Sequence, residues 1–222
     1  MGDRGRALGL RPDQHEKWSE TFLARPNFLG SDPSAPGRAA LTRFATAGAA
    51  EVLELGSGQG RDTLLFAEAG LRVIALDYAE AGLAQIAAKA EASGLGTAIQ
   101  TLAADVRQPI PVADASVGAC YAHMLFCMAL STAEIERLVA EVRRVLRPGD
   151  VFVYTVRTTA DPHFRLGVNH GDDRWETGGF IVHFFDRALI EHLADGFELL
   201  EVTDYLEGRL PRRLAAVTMR KR

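Results

Sequence analysis

Nine residues, VLELGSGQG from Val52 to Gly60, have the types and spacing that a small-ligand site needs. An apolar run carrying an acid, Glu54, passes into Gly56, Gly58 and Gly60, and a helical-looking RDTLLFAEAG follows. Strand, glycine turn and helix in that order build a nucleotide-type site at the carboxyl edge of a parallel sheet. Glycine is needed where the chain turns sharply and a ligand approaches the backbone, because a Cβ would collide there. The spacing is G-x-G-x-G, and Arg61 stands where a dinucleotide fingerprint would carry its third glycine. Asp77 ends the next apolar run, LRVIALD, with Tyr78 after it. An ionised carboxylate at that point can accept from both hydroxyls of a ribose.

The elements that must hold these residues alternate. A buried strand over 52–55, a helix over 61–68, a strand ending at Asp77, a helix over 79–92 and a strand ending at Asp105 read as β-α-β-α-β. SVGACYAH reads as the fourth strand, and a helix over 132–146 follows with Ser131 and Glu134 as a capping box. RPGD then turns into a fifth strand, VFVYTV. Such alternation predicts a Rossmann-like, mostly parallel sheet with helices on both faces. Before it lies an arm, residues 1–37, in which Pro26, Gly30, Pro33, Pro36 and Gly37 break regular structure, with a helix restarting near Arg38. After the fifth strand, TTADPHFRLGVNHGDDRWETGG is long, polar and glycine-punctuated, and is expected to be an irregular functional loop. A helix over 187–194 and two strands, FELLEVTDYLE and RLAAVTMRK, close the chain.

The glycine spacing, the strand-end Glu54, Asp77, Asp105 in LAADV, the tract PIPVADASVGACYAH and the run EVRRVLRPGDVFVYTV together resemble class I S-adenosylmethionine (SAM)-dependent methyltransferases. The likeness spans residues 50–156 closely and the rest loosely. It implies a seven-stranded sheet with a C-terminal antiparallel β-hairpin, two domains (arm 1–37, methyltransferase domain 38–222) and SAM as the cofactor. It further implies cofactor contacts from Glu54, Gly56, Gly58, Gly60, Asp77, Tyr78 and Tyr121, with Asp105 near the adenine amino group and the Val106 N–H at the ring. GQGRDTLLFAEAG and the arm holding Trp18 and Phe28 resemble the thiopurine and tellurite-resistance type, in which the arm helps to cover cofactor and substrate. Trp18 and Phe28 are therefore expected over the cofactor pocket, against the alternative of a static strap.

Methyl transfer from a sulfonium is an in-line displacement, so positioning dominates. An oxygen or nitrogen nucleophile also needs a base, whereas a soft sulfur-type nucleophile does not. His123, at the end of the fourth strand, is the candidate base if the resemblance holds, the alternative being a structural histidine. Arg157 is the candidate grip for an anionic acceptor, the alternative being a salt bridge to a nearby acid. His163, His170, Trp175 and His183 are the candidate acceptor contacts in the late segment. No metal is expected, because these histidines with Asp172 and Asp173 match no standard ligand spacing.

Composition bounds the function. The 222 residues suit one α/β domain, and 47% hydrophobic content is sufficient for its core. A net charge of −4 argues against nucleic acid as a partner, although Arg209, Arg212, Arg213 and the arginines of 137–147 keep open a macromolecular acceptor, RNA or protein. A SAM-binding protein without turnover is the third possibility. A nicotinamide dehydrogenase is disfavoured by the glycine spacing and by Glu54. Gly2 lacks the Ser or Thr partner of a myristoylation motif, with Arg6 in its place. No apolar run has signal-peptide or membrane-span length, and Cys120 and Cys127 read as buried thiols, so the expectation is a cytoplasmic monomer or homodimer acting on a small molecule.

Overall fold

The computed structural model describes residues 14–208 and 212–222; the first thirteen residues of the arm, with Gly2 and Arg6, and Arg209 lie outside them. The described chain runs α1 (Gln14–Ala24), α2 (Ala35–Thr46), β1 (Glu51–Leu55), α3 (Arg61–Glu68), β2 (Arg72–Asp77), α4 (Glu80–Ala92), β3 (Ile99–Ala103) and β4 (Val117–His123). It continues through α5 (Thr132–Val145), β5 (Leu146–Arg157), β6 (Val168–Asn169), β7 (Arg174–Thr177), β8 (Phe180–His183), α6 (Arg187–His192), β9 (Phe197–Glu207) and β10 (Arg212–Lys221).

Seven strands form one sheet in the order β3-β2-β1-β4-β5-β10-β9, with β1 to β5 parallel and β10 antiparallel to both its neighbours. The chain moves outward from β1 to β3, then returns to place β4 on the other side of β1. That reversal opens a crevice at the carboxyl ends of β1 and β4, where ligands of open α/β sheets bind. Leu55 pairs with Leu76 and with Ala122, so Gly56, Asp77 and His123 leave the sheet at one edge.

The period of two along each strand sorts the core. Leu53, Cys120, Phe152 and Tyr154 face α5 and α6 in one buried cluster. Val52, Ala119, Tyr121 and Val153 face α2, α3 and α4 in the other. By the same parity Glu54, His123 and Thr155 belong to the α2–α4 face. The Ser131–Glu134 capping box forms as expected, satisfying the first amides of α5.

Three expectations need correction. Residues 158–179 are not wholly irregular: with 180–183 they contain an antiparallel sheet ordered β6-β7-β8, turned by Gly178 and Gly179. Short strands of two to four residues carry too little alternation to be read from sequence. Pro36 and Gly37 do not break the chain but lie in the first turn of α2, capped by Ser34, where proline's missing N–H costs nothing. Strand β3 stops at Ala103, so Asp105 sits in the turn beyond it.

Candidate active site

The glycine turn is built by its neighbours. Its amides point inward: Gly56 and Ser57 donate to Leu76 O at 2.8 and 3.1 Å, Gly60 to Ser57 O at 3.0 Å, and Gly58 to Asp77 Oδ2 at 2.8 Å. Ala79 N–H donates to the other Asp77 oxygen at 2.8 Å. The turn therefore offers space more than a phosphate cradle. Gly58 is left-handed at φ 55°, and a Cβ there would meet Leu29 at 2.9 Å. Helix α4 presses on the same turn through Gly82, where a Cβ would fall 2.2 Å from Gly58 O. Beneath the turn Glu54 is buried and accepts from the Thr63 hydroxyl. Burial and the neighbouring Asp62 push its carboxyl well above the ordinary range. Gly60 serves packing, since a Cβ there would meet Ile86 at 2.6 Å.

A cavity of about 1110 Å³ extends from this turn along the strand tips. Glu54, Gly56, Gly58, Asp77, Tyr78, Asp105 and Val106 line one end of it, and His123, Arg157, His163 and Trp175 the other. Trp18 and Phe28 form part of the roof. Four expected contacts do not line it: Gly60, Tyr121, His170 and His183. Tyr121 is buried below, edge-on to Phe66, its hydroxyl bonded to Asp62 at 3.1 Å. His170 pairs with Glu176 at 2.8 Å. His183 is buried against Leu130 O at 2.8 Å, and burial pulls its pKa down. Asp105 lines the cavity while its carboxylate also holds the Arg107 guanidinium, at 2.6 to 3.0 Å.

The roof is fastened to the turn by polar side chains that the sequence alone did not single out. Gln59 donates to Arg25 O and to Gln85, both at 2.9 Å, Gln85 donates to Phe22 O at 2.8 Å, and Arg61 donates to Leu29 O at 3.0 Å. Asp62 holds the backbone and hydroxyl of Ser34, each at 2.7 Å. Above the cavity Trp18 lies 5.2 Å from Phe180 of the small sheet. Gln14 and Lys17 donate to Gly179 O and Gly178 O at 3.0 and 3.1 Å. Two segments far apart in sequence thus meet as an arch.

At the far end His123 Nδ1 lies 2.8 Å from Thr155 Oγ1, its register partner, which also accepts Met124 N–H at 3.0 Å. The Nε2 edge lies 3.7 Å from Glu207 of the C-terminal hairpin. His123, with Arg212 and Arg61 beyond it, holds the Glu207 carboxyl below the ordinary range. Arg157 is buried and bidentate on Asp161, at 2.5 and 3.1 Å, so the salt-bridge alternative is the arrangement found. Asp161 also accepts the amides of His163 and Arg213 at 2.8 and 2.9 Å, tying the loop to the hairpin. Among the described residues no group of three or more His, Cys, Asp or Glu side chains could hold a metal ion. Glu207, Asp161 and Thr155 carried no sequence signal; Gly82, a glycine inside a helical pattern, did.

Residues 52–149, from β1 to the first residues of β5, match the family described as a methyltransferase domain. No curated protein matches the sequence. Among solved structures, the chain is similar to 1,6-didemethyltoxoflavin-N1-methyltransferase from Burkholderia thailandensis, bound to its substrate and S-adenosylhomocysteine. That match has 19% identity and a TM-score of 0.71, over 98% of this chain and 93% of that one. TehB from Haemophilus influenzae is 18% identical, with a TM-score of 0.65 over 83% of this chain and 62% of that one. The cyclase SpnF is 20% identical, with a TM-score of 0.67 over 93% and 92%. The Rossmann-like methyltransferase fold is thus shared, and one fold carries more than one chemistry.

Proposed function

We propose that this chain is a SAM-dependent methyltransferase acting on a small-molecule acceptor. The observation that carries the reading is the single cavity under the arch, which joins the glycine turn and Asp77 at one end to His123 and the hairpin at the other. Its volume, about 1110 Å³, is at the upper end for small-molecule pockets, enough for a donor and a modest acceptor side by side.

The residues at the glycine turn fit SAM. Ser57 Oγ is buried on the cavity wall with no hydrogen-bond partner among the described residues, and a side chain at position 58 would fill the space beside Leu29. Asp77 would accept from the ribose, Asp105 and the Val106 N–H would meet the adenine, and Glu54, Gly56, Gly58 and Tyr78 would complete the wall. Bound there, SAM supplies a methyl group already activated on a sulfonium. The chain's own work is to orient the acceptor, exclude water beneath Trp18, Phe28 and Phe180, and hold His123 by Thr155 so that Nε2 takes a proton where the acceptor carries one. His163 and Trp175 contact the acceptor, and Arg157 frames it through Asp161.

Several observations favour a small acceptor over a macromolecule. The arch covers the cavity, and Arg143, Arg144 and Arg147 on the α5 side are paired with acids. No described helix is long and apolar enough to cross a membrane. Two buried free thiols, Cys120 and Cys127, favour a reducing compartment, and we place the protein in the cytoplasm as a monomer or homodimer. Within the arm 1–37 the described residues from Gln14 onward would act as the cover, and 38–222 as the catalytic domain.

The test is calorimetry with S-adenosylhomocysteine and NAD, followed by methyl transfer to thiol, phenol, amine and metalloid panels and to RNA and protein extracts. Tight binding of S-adenosylhomocysteine with transfer to one small-molecule class is expected. Equal affinity for NAD would overturn the cofactor. Transfer only to extract would make the acceptor a macromolecule.

A further inference from the structure

The charges at the hairpin end of the cavity do not balance. Arg157 is neutralised by Asp161, with which it makes a buried bidentate pair. Arg107 is neutralised by Asp105. Arg61 is shared between Glu207 and the carboxyl of Glu54 at the glycine turn, which leaves Arg212 with Glu207 as the one carboxylate near it. Arg61 is committed to Leu29 O at 3.0 Å and lies 3.9 Å from Glu207. Arg212 also lines the cavity, and its charge acts on Glu207 without closing a salt bridge to it among the described residues. It is the cross-strand partner of Glu207 at the end of the hairpin. Its guanidinium folds back over Gly208, where a Cβ would sit 3.0 Å from Nη2, so the glycine leaves room for that placement.

The cavity that this cation lines is also walled by aromatic and thioether side chains: Trp175, Phe180, Phe184, Met124 and Met128. The Trp175 indole N–H is buried with no partner among the described residues. A flat ring would stack in such a slot, while a guanidinium at one end suits a planar oxyanion, which it grips bidentately. Glu207 and Arg212, the two lining charges of the hairpin, both come from the segment EGRLPRRL.

We propose that Arg212 is the specificity residue of the acceptor site, and that the acceptor is a planar aromatic compound carrying a carboxylate or equivalent oxyanion. This rests on the methyltransferase reading only for the word acceptor, because binding of an aromatic anion needs no turnover. One alternative source has the same chemistry: the amino-acid carboxylate of SAM itself. The two are separable by where the affinity is lost.

The two tryptophans of the chain, Trp18 and Trp175, both line the cavity, so intrinsic fluorescence reports its occupancy directly. Phenylacetate and the uncharged phenylacetamide are titrated into the full chain saturated with S-adenosylhomocysteine, with Arg212→Gln and Arg212→Lys compared. Phenylacetate should bind the native protein at least about tenfold tighter than phenylacetamide, the factor that 1.4 kcal/mol represents. Arg212→Gln should abolish that preference without weakening phenylacetamide, and Arg212→Lys should restore part of it. Equal binding of the two probes to the native protein would overturn the proposal. So would a preference that survives in Arg212→Gln. If instead Arg212→Gln lowers the calorimetric affinity for S-adenosylhomocysteine and spares phenylacetate, the cation belongs to the donor. Failure of native protein to bind S-adenosylhomocysteine would sink the methyltransferase reading separately.

Discussion

At the glycine-turn end of the cavity the walls are main chain and buried carboxylates; at the hairpin end they are long side chains gathered from four separate segments. Gly56, Ser57, Gly58 and Asp77 come from two adjacent strand tips and are fixed by hydrogen bonds of 2.8 to 3.1 Å among themselves and their neighbours. His123, Arg157, His163, Glu207 and Arg212 come from β4, β5, the loop after it and the two strands of the hairpin. Backbone sites are set by the fold and tolerate little change. Side-chain sites can be rebuilt residue by residue, which is how one fold serves many acceptors.

The sharpest way to break the comparison is to remove the pair that stiffens the side-chain end. Asp161→Ala leaves Arg157 buried without a counter-charge and releases the amides of His163 and Arg213. A loss of about 3–5 kcal/mol is expected in urea unfolding. A loss below about 1 kcal/mol would mean that the hairpin end is held by something other than this network.

At the other end, Asp77→Ala should weaken S-adenosylhomocysteine by about 1.5–3 kcal/mol in calorimetry, the range for hydrogen bonds to a charged group. Asp105→Asn should cost less, since an amide still accepts. Unchanged affinity in a folded Asp77→Ala protein would move the ribose contact elsewhere. Gly82→Ala is a subtler probe. In an ordinary helix it would stabilise by about 1 kcal/mol. Here the added methyl meets Gly58 O, and overpacking of about 1–3 kcal/mol should reverse the sign and carry through to cofactor affinity.

The smallest effect is a pH dependence of opposite sign at the two ends. Burial, then Asp62, raises the folded pKa of Glu54, so the folded protein binds the extra proton. Its contribution to stability falls as pH climbs above the ordinary glutamate value of about 4.3. Although burial alone would raise the Asp161 pKa, its bonds from Arg157 and two amides lower it. Its contribution is present above about pH 3.9 and is lost as pH falls through the folded value. Glu54→Gln should therefore flatten the neutral side of the stability–pH curve, and Asp161→Asn the acid side. Parallel changes on one side would remove the contrast.

The same contrast explains what could be read in the chain beforehand. Glu54 and Asp77 lie at the ends of β1 and β2, and the glycines and Asp105 in the turns beyond β1 and β3, all within one β-α-β-α-β run, so local pattern and the family resemblance together pointed to them. The alternation from residue 52 to residue 157 likewise gave the sheet and its helices. Glu207 and Arg212 follow and precede ordinary strand residues, and nothing local says that their hairpin bends to the crevice. Asp161 looked like one more polar loop residue, and Arg157 drew attention as a ligand because its partner was invisible. The sheet of β6, β7 and β8 escaped notice because its strands are shorter than the pattern that reveals strands. Gly82 is a glycine inside a helical run, and only the contact with Gly58 explains it.

The arch has a kinetic consequence. Among the described residues its seam consists of two hydrogen bonds from flexible side chains to main-chain oxygens, one ring contact, and Lys17 3.9 Å above Phe180. Such contacts sum to about 2–4 kcal/mol. A door closed by that much stands open for roughly one molecule in thirty to one in a thousand. Traffic through it requires no movement of the sheet, so the roof can part and reseal within microseconds to milliseconds while the strand tips stay fixed. Entry and exit are then expected to keep pace with an ordinary turnover of about ten per second, leaving the transfer step, and not the doorway, to set the speed.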